Sequence, residues 1–340
     1  MAFFVLTTCL PAFLIAISAV FAGPWPVMAV LSLTLMMAGL DHLVGQVAAP
    51  LPEDENQTAD RLSTCLAVIH LGLVPLVVWA LAGDLLTTID KICLFVASGI
   101  FFGQASSANA HELIHRQERH LFRLGVWTYI SLLFGHHVSA HLLIHHRFVG
   151  TRDDPSTSRL GESYYRYLVR TYTGAITAGY MAEARRLKHF QSSFLETPFL
   201  SYTLGAFIFL VGAYAVGSIT GLVWYVGLTV FAQQQLLLCD YVQHYGLLRH
   251  RDSAGRLEPI GDRHSWNAPH WFASGMMQYA PRYADHHAHP YRPYPMLAMT
   301  ADGPILPKSL PVMAVLALFP PIWRRVMDPR VQHWKDTPTP

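Results

Sequence analysis

Charge is scarce in this 340-residue chain: Asp, Glu, Lys and Arg make up 14% of it, against roughly 25% in an ordinary globular domain. With 52% hydrophobic residues, that composition argues against a water-soluble enzyme. Cysteine is scarce too. Cys9, Cys65, Cys93 and Cys239 all lie in apolar runs and form no CxxC pair, which excludes an encoded disulfide framework and a thiolate metal site. No GxGxxG fingerprint, rubredoxin-type iron motif or haem motif occurs, so the chain carries no redox relay of its own. Repeats and low-complexity tracts are also absent, and no nucleic-acid partner is expected. Positive charge is missing from the first third, where Arg61 and Lys91 alone precede residue 116.

Long apolar runs are what the chain has instead. Crossing a hydrocarbon core takes about 18 or more apolar residues, and six stretches qualify, near 4–22, 26–46, 63–82, 90–109, 199–216 and 219–238. No Lys or Arg precedes the first, so it reads as a span rather than a cleaved leader. Residues 110–198 and 239–340 carry 11 Lys and Arg each, and positive charge beside spans marks the cytoplasmic side. The expectation is an all-α, polytopic membrane protein with both termini cytoplasmic and outer turns at Asp84 and Gly217. It divides into spans one to four (1–109), a first histidine-rich region (110–198), spans five and six (199–238) and a second histidine-rich region with a C-terminal segment (239–340). Leu121–Phe134 is too short to span and reads as a helix at the interface or folded back on the site. Leu310–Trp323 is also too short to span, and Pro320 and Pro321 are expected to end any helix there, leaving a C-terminal segment packed under the bundle.

Histidine carries the chemistry. Seventeen of 19 lie at or beyond residue 111; His42 and His70, inside spans, read as hydrogen-bonded core residues. His111-Glu112-Leu113-Ile114-His115 continues the fourth span, and on an unbroken helix the i, i+4 spacing stacks both imidazoles on one face. Alone, this pattern describes a zinc protease with Glu112 as general base. The spacing recurs in His141–His145, and the adjacent His146 points roughly 100° away, so one helix faces two metals. Asp285-His286-His287-Ala288-His289 pairs histidines again, and His244 sits just below the sixth span. Seven or more imidazoles exceed any mononuclear site and imply two metals. Glu112 and Asp285 are candidates to orient ligand imidazoles.

Beyond these clusters stand Gly150-Thr151-Arg152-Asp153-Asp154-Pro155, Arg159–Tyr165, Tyr241–Leu247, His264-Ser265-Trp266-Asn267, Leu316–Trp323 and Arg325–Pro329. In these the chain resembles the membrane-bound di-iron alkane hydroxylases of the fatty acid desaturase and hydroxylase superfamily. The resemblance implies six transmembrane helices under a cytoplasmic cap holding two non-haem irons. It carries the iron ligands onto His111, His115, His141, His145, His146, His244, His286 and His287. One position departs from the family: where its third cluster reads His-Ser-Asp-His-His, this chain has Tyr283-Ala284-Asp285-His286-His287. Tyr283 ligates as phenolate, leaves the position to water, His270 or His289, or marks a weakened enzyme.

The chemistry implied is hydroxylation of an unactivated C–H bond by O2 and two electrons. A saturated carbon offers no acidic proton and no carbonyl, so carboxylates alone cannot do it. A hydrophobic substrate is expected to enter from the bilayer. The electrons are expected from a rubredoxin and its NAD(P)H-dependent reductase, the acidic rubredoxin steered by Arg152, Arg159, Arg166, Arg185 and Arg186. Location in a bacterial inner membrane follows from the same resemblance. Hydroxylation of a xylene- or cymene-type methyl group, or of a fatty acyl chain, is the neighbouring reading; a membrane zinc protease and a non-catalytic metal-binding or transport protein are the distant ones.

Overall fold

The computed structural model describes residues 1–44, 49–299 and 303–336. The end of the second apolar run and short pieces of the last region lie outside them. Among the described residues the fold is helical, with two isolated bridges and no strand. Five helices are long and apolar enough to cross a membrane. They are α1 (Ala2–Val20), α2 (Trp25–Leu43), α3 (Asn56–Ala82), α4 (Thr88–Ile114) and α8 (Pro198–His244). α8 is two apolar segments joined where Gly217 and Ser218 leave helical geometry, at the place expected for an outer turn. The outward apolar side chains, such as Phe207, Ile208 and Val211, are exposed, as suits a surface whose solvent is lipid.

Small residues let these helices approach closely. A Cβ on Gly103 in α4 would lie 2.4 Å from the Ala232 carbonyl of α8, so glycine sets that contact. α5 (Arg119–Ser131) does fold back along α4: Gly125 abuts the Ala110 carbonyl, and Tyr129 Oη donates to the Ser107 carbonyl at 3.0 Å. His70 is a hydrogen-bonded core residue, its Nε2 2.8 Å from Ser131 Oγ.

The polar regions form a cap of further helices. α6 runs through His136–Ala140, a π-helical turn at His141–His145, and His146–Phe148. It is followed by α7 (Tyr164–His189), α9 (Trp271–Met276), α10 (Tyr283–Ala288), α11 (Leu310–Ala317) and α12 (Pro320–Asp336). The expectation that Pro320 and Pro321 end the C-terminal helix needs correction. Helix α11 stops at Ala317, and the prolines open a new 17-residue helix, because proline lacks only an N–H that a first turn leaves unpaired. Trp323 on α12 is fully buried against Tyr241 and Tyr245, and Tyr245 Oη donates to Asp328 Oδ1 at 2.6 Å. Gly246, at φ +74°, ends α8 where a side chain would strike Val331.

Candidate metal centre

Four helices bring the histidines together. α4 presents His111 and His115, their rings 5.0 Å apart. On α6 the pairing differs from the i, i+4 expectation. The His146 N–H bonds to the His141 carbonyl, an i to i+5 step that marks a π turn. The wider turn brings His146 Nε2 to 2.8 Å from His141 Nε2 and sends His145 to the other side. One helix does face two sites, but with His141 and His146 on one and His145 on the other. α10 divides its adjacent pair in the same way, and α8 contributes His244 from its last residue.

The outcome is two groups, each with its candidate ligand atoms within 4.8 Å of one another: His111, His115, His141, His146 and His286 in one, His145, His244 and His287 in the other. In the larger group His115 Nε2 lies 3.1 Å from His141 Nε2, and His286 Nε2 lies 3.3 Å from His146 Nε2. Burial, reinforced by neighbouring histidines, holds His115, His141, His146, His286 and His287 well below the ordinary imidazole pKa, so these rings are neutral. Buried without any hydrogen-bond partner are His111 Nε2, His145 Nε2 and both ring nitrogens of His244 and His287. Leaving such groups unmet costs free energy, and shared protons cannot satisfy several lone pairs aimed into one space. Transition-metal cations can, and an all-imidazole set suits zinc, copper, iron or nickel.

The residues expected to orient the ligands are placed elsewhere. Glu112 Oε1 is 3.0 Å from Arg116 and accepts the Tyr294 N–H at 3.2 Å; a carboxylate held this way ties α4 to the cap rather than serving as a protease base. Asp285 accepts from Arg292, from the Ala298 N–H and from His289 Nδ1 at 2.9 Å, so it organises the following loop. His289 is thereby half-exposed and outside both groups. His270 lines a separate cavity with Asp41, His42 and Lys308. Tyr283 alone of the three uncertain residues is at the centre. Its ring lies 4.5 Å from His287 and 5.1 Å from His244, and its hydroxyl points to Asp240 Oδ1, 3.4 Å away. Burial, then the charge of Asp240, pushes this phenol well above its usual range.

Asp154 is the residue that sequence reasoning missed. Its buried carboxylate bonds His145 Nδ1 at 2.9 Å and accepts from Thr157 Oγ1 at 2.7 Å and the Ser156 N–H at 2.9 Å. Burial alone would favour the neutral acid and the neutral imidazole. The mutual attraction outweighs it, holding Asp154 below and His145 above their ordinary values. Arg170 braces the same loop through the carbonyls of Pro155 and Thr157 while paired to Glu162. An aspartate nine residues beyond His145, inside Thr151–Pro155, was the available signal. Farther on, Trp266 holds the end of α8 through the carbonyls of Gln243 and Tyr245, and Asn267 Oδ1 receives the Ala284 N–H at the start of α10. The His264–Asn267 motif thus fixes His244 relative to His286 and His287.

A narrow cavity beside the larger group is lined by His111, His141, Tyr283 and Asp240, then by Gly103 and Ala108 of α4 and Leu236 of α8. Its apolar wall is the buried face of α4 and α8.

Comparison with known proteins finds relatives over most of the chain. The fatty acid desaturase family matches residues 91–316. Alkane 1-monooxygenase 2 of Pseudomonas aeruginosa is 31% identical over 328 residues, covering 92% of this chain and 85% of that protein. Alkane 1-monooxygenase 1 of the same organism is 32% identical over 313 residues, 87% and 80% of the two chains. The alkane 1-monooxygenase of Ectopseudomonas oleovorans is 32% identical over 289 residues, 84% and 71%.

Proposed function

Since the chain belongs to the fatty acid desaturase family, among the alkane 1-monooxygenases, we propose that it hydroxylates the terminal carbon of alkanes or alkyl groups to primary alcohols. The observation that carries this reading is the convergence of eight histidines, with unpartnered ring nitrogens, beneath a bundle of apolar helices. The balance is R–CH3 + O2 + 2 e⁻ + 2 H⁺ giving R–CH2OH and H2O. Two irons, one held by His111, His115, His141, His146 and His286 and the other by His145, His244 and His287, would supply the dioxygen activation that no side chain can.

The remaining work falls to the protein. Asp154 fixes the tautomer and direction of His145 by accepting from Nδ1, leaving Nε2 as the ligand atom. Gly103, Ala108 and Leu236 give an alkyl chain a route from lipid to the ligands and exclude water from it. Asp240 and Tyr283 are polar groups on the cavity wall, and the phenolic proton is directed at Asp240 Oδ1. The break at Gly217–Ser218 supports six spans; the Lys and Arg of residues 110–198 and 239–340 favour a cytoplasmic side for both histidine-rich regions and both termini, in a bacterial inner membrane.

Electrons come from a rubredoxin-type carrier supplied by an NAD(P)H-dependent reductase. The exposed Arg152, Arg159 and Lys335 line a cavity that also touches Asp154, one hydrogen bond from His145. An acidic carrier would be steered there. Arg186, by contrast, is engaged by Glu183 at 2.7 Å. The test is incubation of cells expressing the chain with octane, hexadecane and p-xylene under ¹⁸O2. Labelled primary alcohol from an alkane is expected. Product from p-xylene alone would move the substrate class to aromatic methyl groups, and no labelled product from any of the three would refute the reading.

A further inference from the structure

Tyr283 sits one helical turn before His287 on α10, the i, i+4 relation that places two side chains on one face. An imidazole there would add a ligand to the His145, His244 and His287 group. The tyrosine ring occupies that place instead, 4.5 Å from His287 and 5.1 Å from His244. Its hydroxyl is directed at Asp240 Oδ1, and Tyr283 Oη is the one hydrogen-bond donor found for that buried carboxylate among the described residues. The larger group already offers five imidazoles, whereas the smaller has three and no carboxylate within the ligand distance. His145, His244 and His287 are buried, and among the described residues no other His, Cys, Asp or Glu joins them within the ligand distance.

Resting on the di-iron reading above, we propose that the two metals are held unequally: the five-histidine group binds tightly, and the three-histidine group, with Tyr283 standing by as a non-ligand bonded to Asp240, binds weakly and keeps open positions. Three protein ligands with vacant positions is the arrangement in which non-haem iron meets O2. Tyr283 and Asp240 both line the cavity walled by α4 and α8, so Tyr283 stands between the three-histidine group and the path assigned to the substrate. Tyr283 is then a positioning residue that keeps ligands off the second metal.

The test is anaerobic titration of the purified, metal-free full chain with Fe(II) against a competing ferrous chelator, with no turnover needed. The wild type is expected to take up two equivalents in two classes. Tyr283→His is expected to tighten the second class by at least about tenfold, the size of effect that even an outer partner of a ligand carries. Tyr283→Phe is expected to leave the second affinity unchanged within a few-fold, and the oxidised wild type to lack a visible phenolate-to-iron absorption band. Two equivalents bound in a single class would overturn the proposal while leaving the di-iron reading intact. A phenolate band that disappears in Tyr283→Phe, together with the second metal, would overturn it by making the tyrosine a ligand. No iron uptake at all defeats the di-iron reading itself and this proposal with it. The wild-type titration decides even if a variant fails to fold, and thermal melting by circular dichroism identifies such a variant.

Discussion

Asp154→Ala removes the one carboxylate that, among the described residues, is hydrogen-bonded to any of the eight grouped histidines. Three bonds go at once: to His145 Nδ1, to Thr157 Oγ1 and to the Ser156 N–H. His145 is buried, so its Nδ1 loses its acceptor with no water to replace it, at a cost of about 1–3 kcal/mol. Loss of an outer partner of a metal-ligating histidine typically lowers metal affinity roughly 10- to 100-fold, which corresponds to about 1.4–2.8 kcal/mol. The two figures describe the same disruption and agree in size. The effect should be confined to the three-histidine group, because Asp154 contacts none of the other five ligands. Iron per chain after dialysis against a mild chelator is therefore expected to fall from two toward one, with hydroxylation falling in parallel. Asp154→Asn keeps an acceptor oxygen and should lose less. In a double-mutant cycle Asp154→Ala should add little to His145→Ala, since both act through one bond. Wild-type iron content and turnover in Asp154→Ala would show that the bond does not orient the ligand, and the assignment of Asp154 would be withdrawn.

Other perturbations read other links. Arg170→Lys keeps the charge but cannot span Glu162 and the carbonyls of Pro155 and Thr157 together; a partial loss of iron, smaller than for Asp154→Ala, is expected by metal analysis, and unchanged retention would contradict the bracing role. Gly103→Ala pushes a methyl against the Ala232 carbonyl, where backbone must move, so melting should shift down by the equivalent of about 1–3 kcal/mol; an unchanged melting curve would refute the close approach. Ala108→Leu narrows the cavity wall and should depress activity on hexadecane more than on octane, and equal loss on both would remove it from the substrate path. Replacing Arg152, Arg159 and Lys335 with Gln should slow reduction by an acidic carrier and flatten its dependence on ionic strength, while reduction by a small neutral chemical donor stays as before. A rate with the protein carrier equal to wild type would move the docking face elsewhere.

Much of this was legible in the amino-acid order. Apolar run length reports spans directly, since the bilayer demands it, and the helices of residues 2–20, 56–82 and 88–114 lie where the runs lie. Paired histidines identify a metal-binding cap because so many imidazoles in a charge-poor chain have no cheaper explanation. What escaped was register and partnership. The π turn at His141–His145 re-sorts three histidines between the sites, and helical periodicity assumes α geometry throughout. Asp154, Glu112 and Asp285 are all carboxylates near histidines in sequence; which of them touches a ligand depends on how the cap loops pack, a tertiary fact that spacing does not encode. The two prolines at 320 and 321 are equally compatible with a stop and a start, and burial of Trp323 decided between them.

On the proposed function, eight histidines hold two irons in one chain. Anaerobic reconstitution with ⁵⁷Fe(II), metal analysis per chain and Mössbauer spectroscopy test it most directly. The account predicts close to two irons per chain in all-nitrogen protein environments, one of them lost when His145, His244 or His287 is replaced by alanine. A single iron that survives all three replacements, or none retained by the folded wild type, would contradict it.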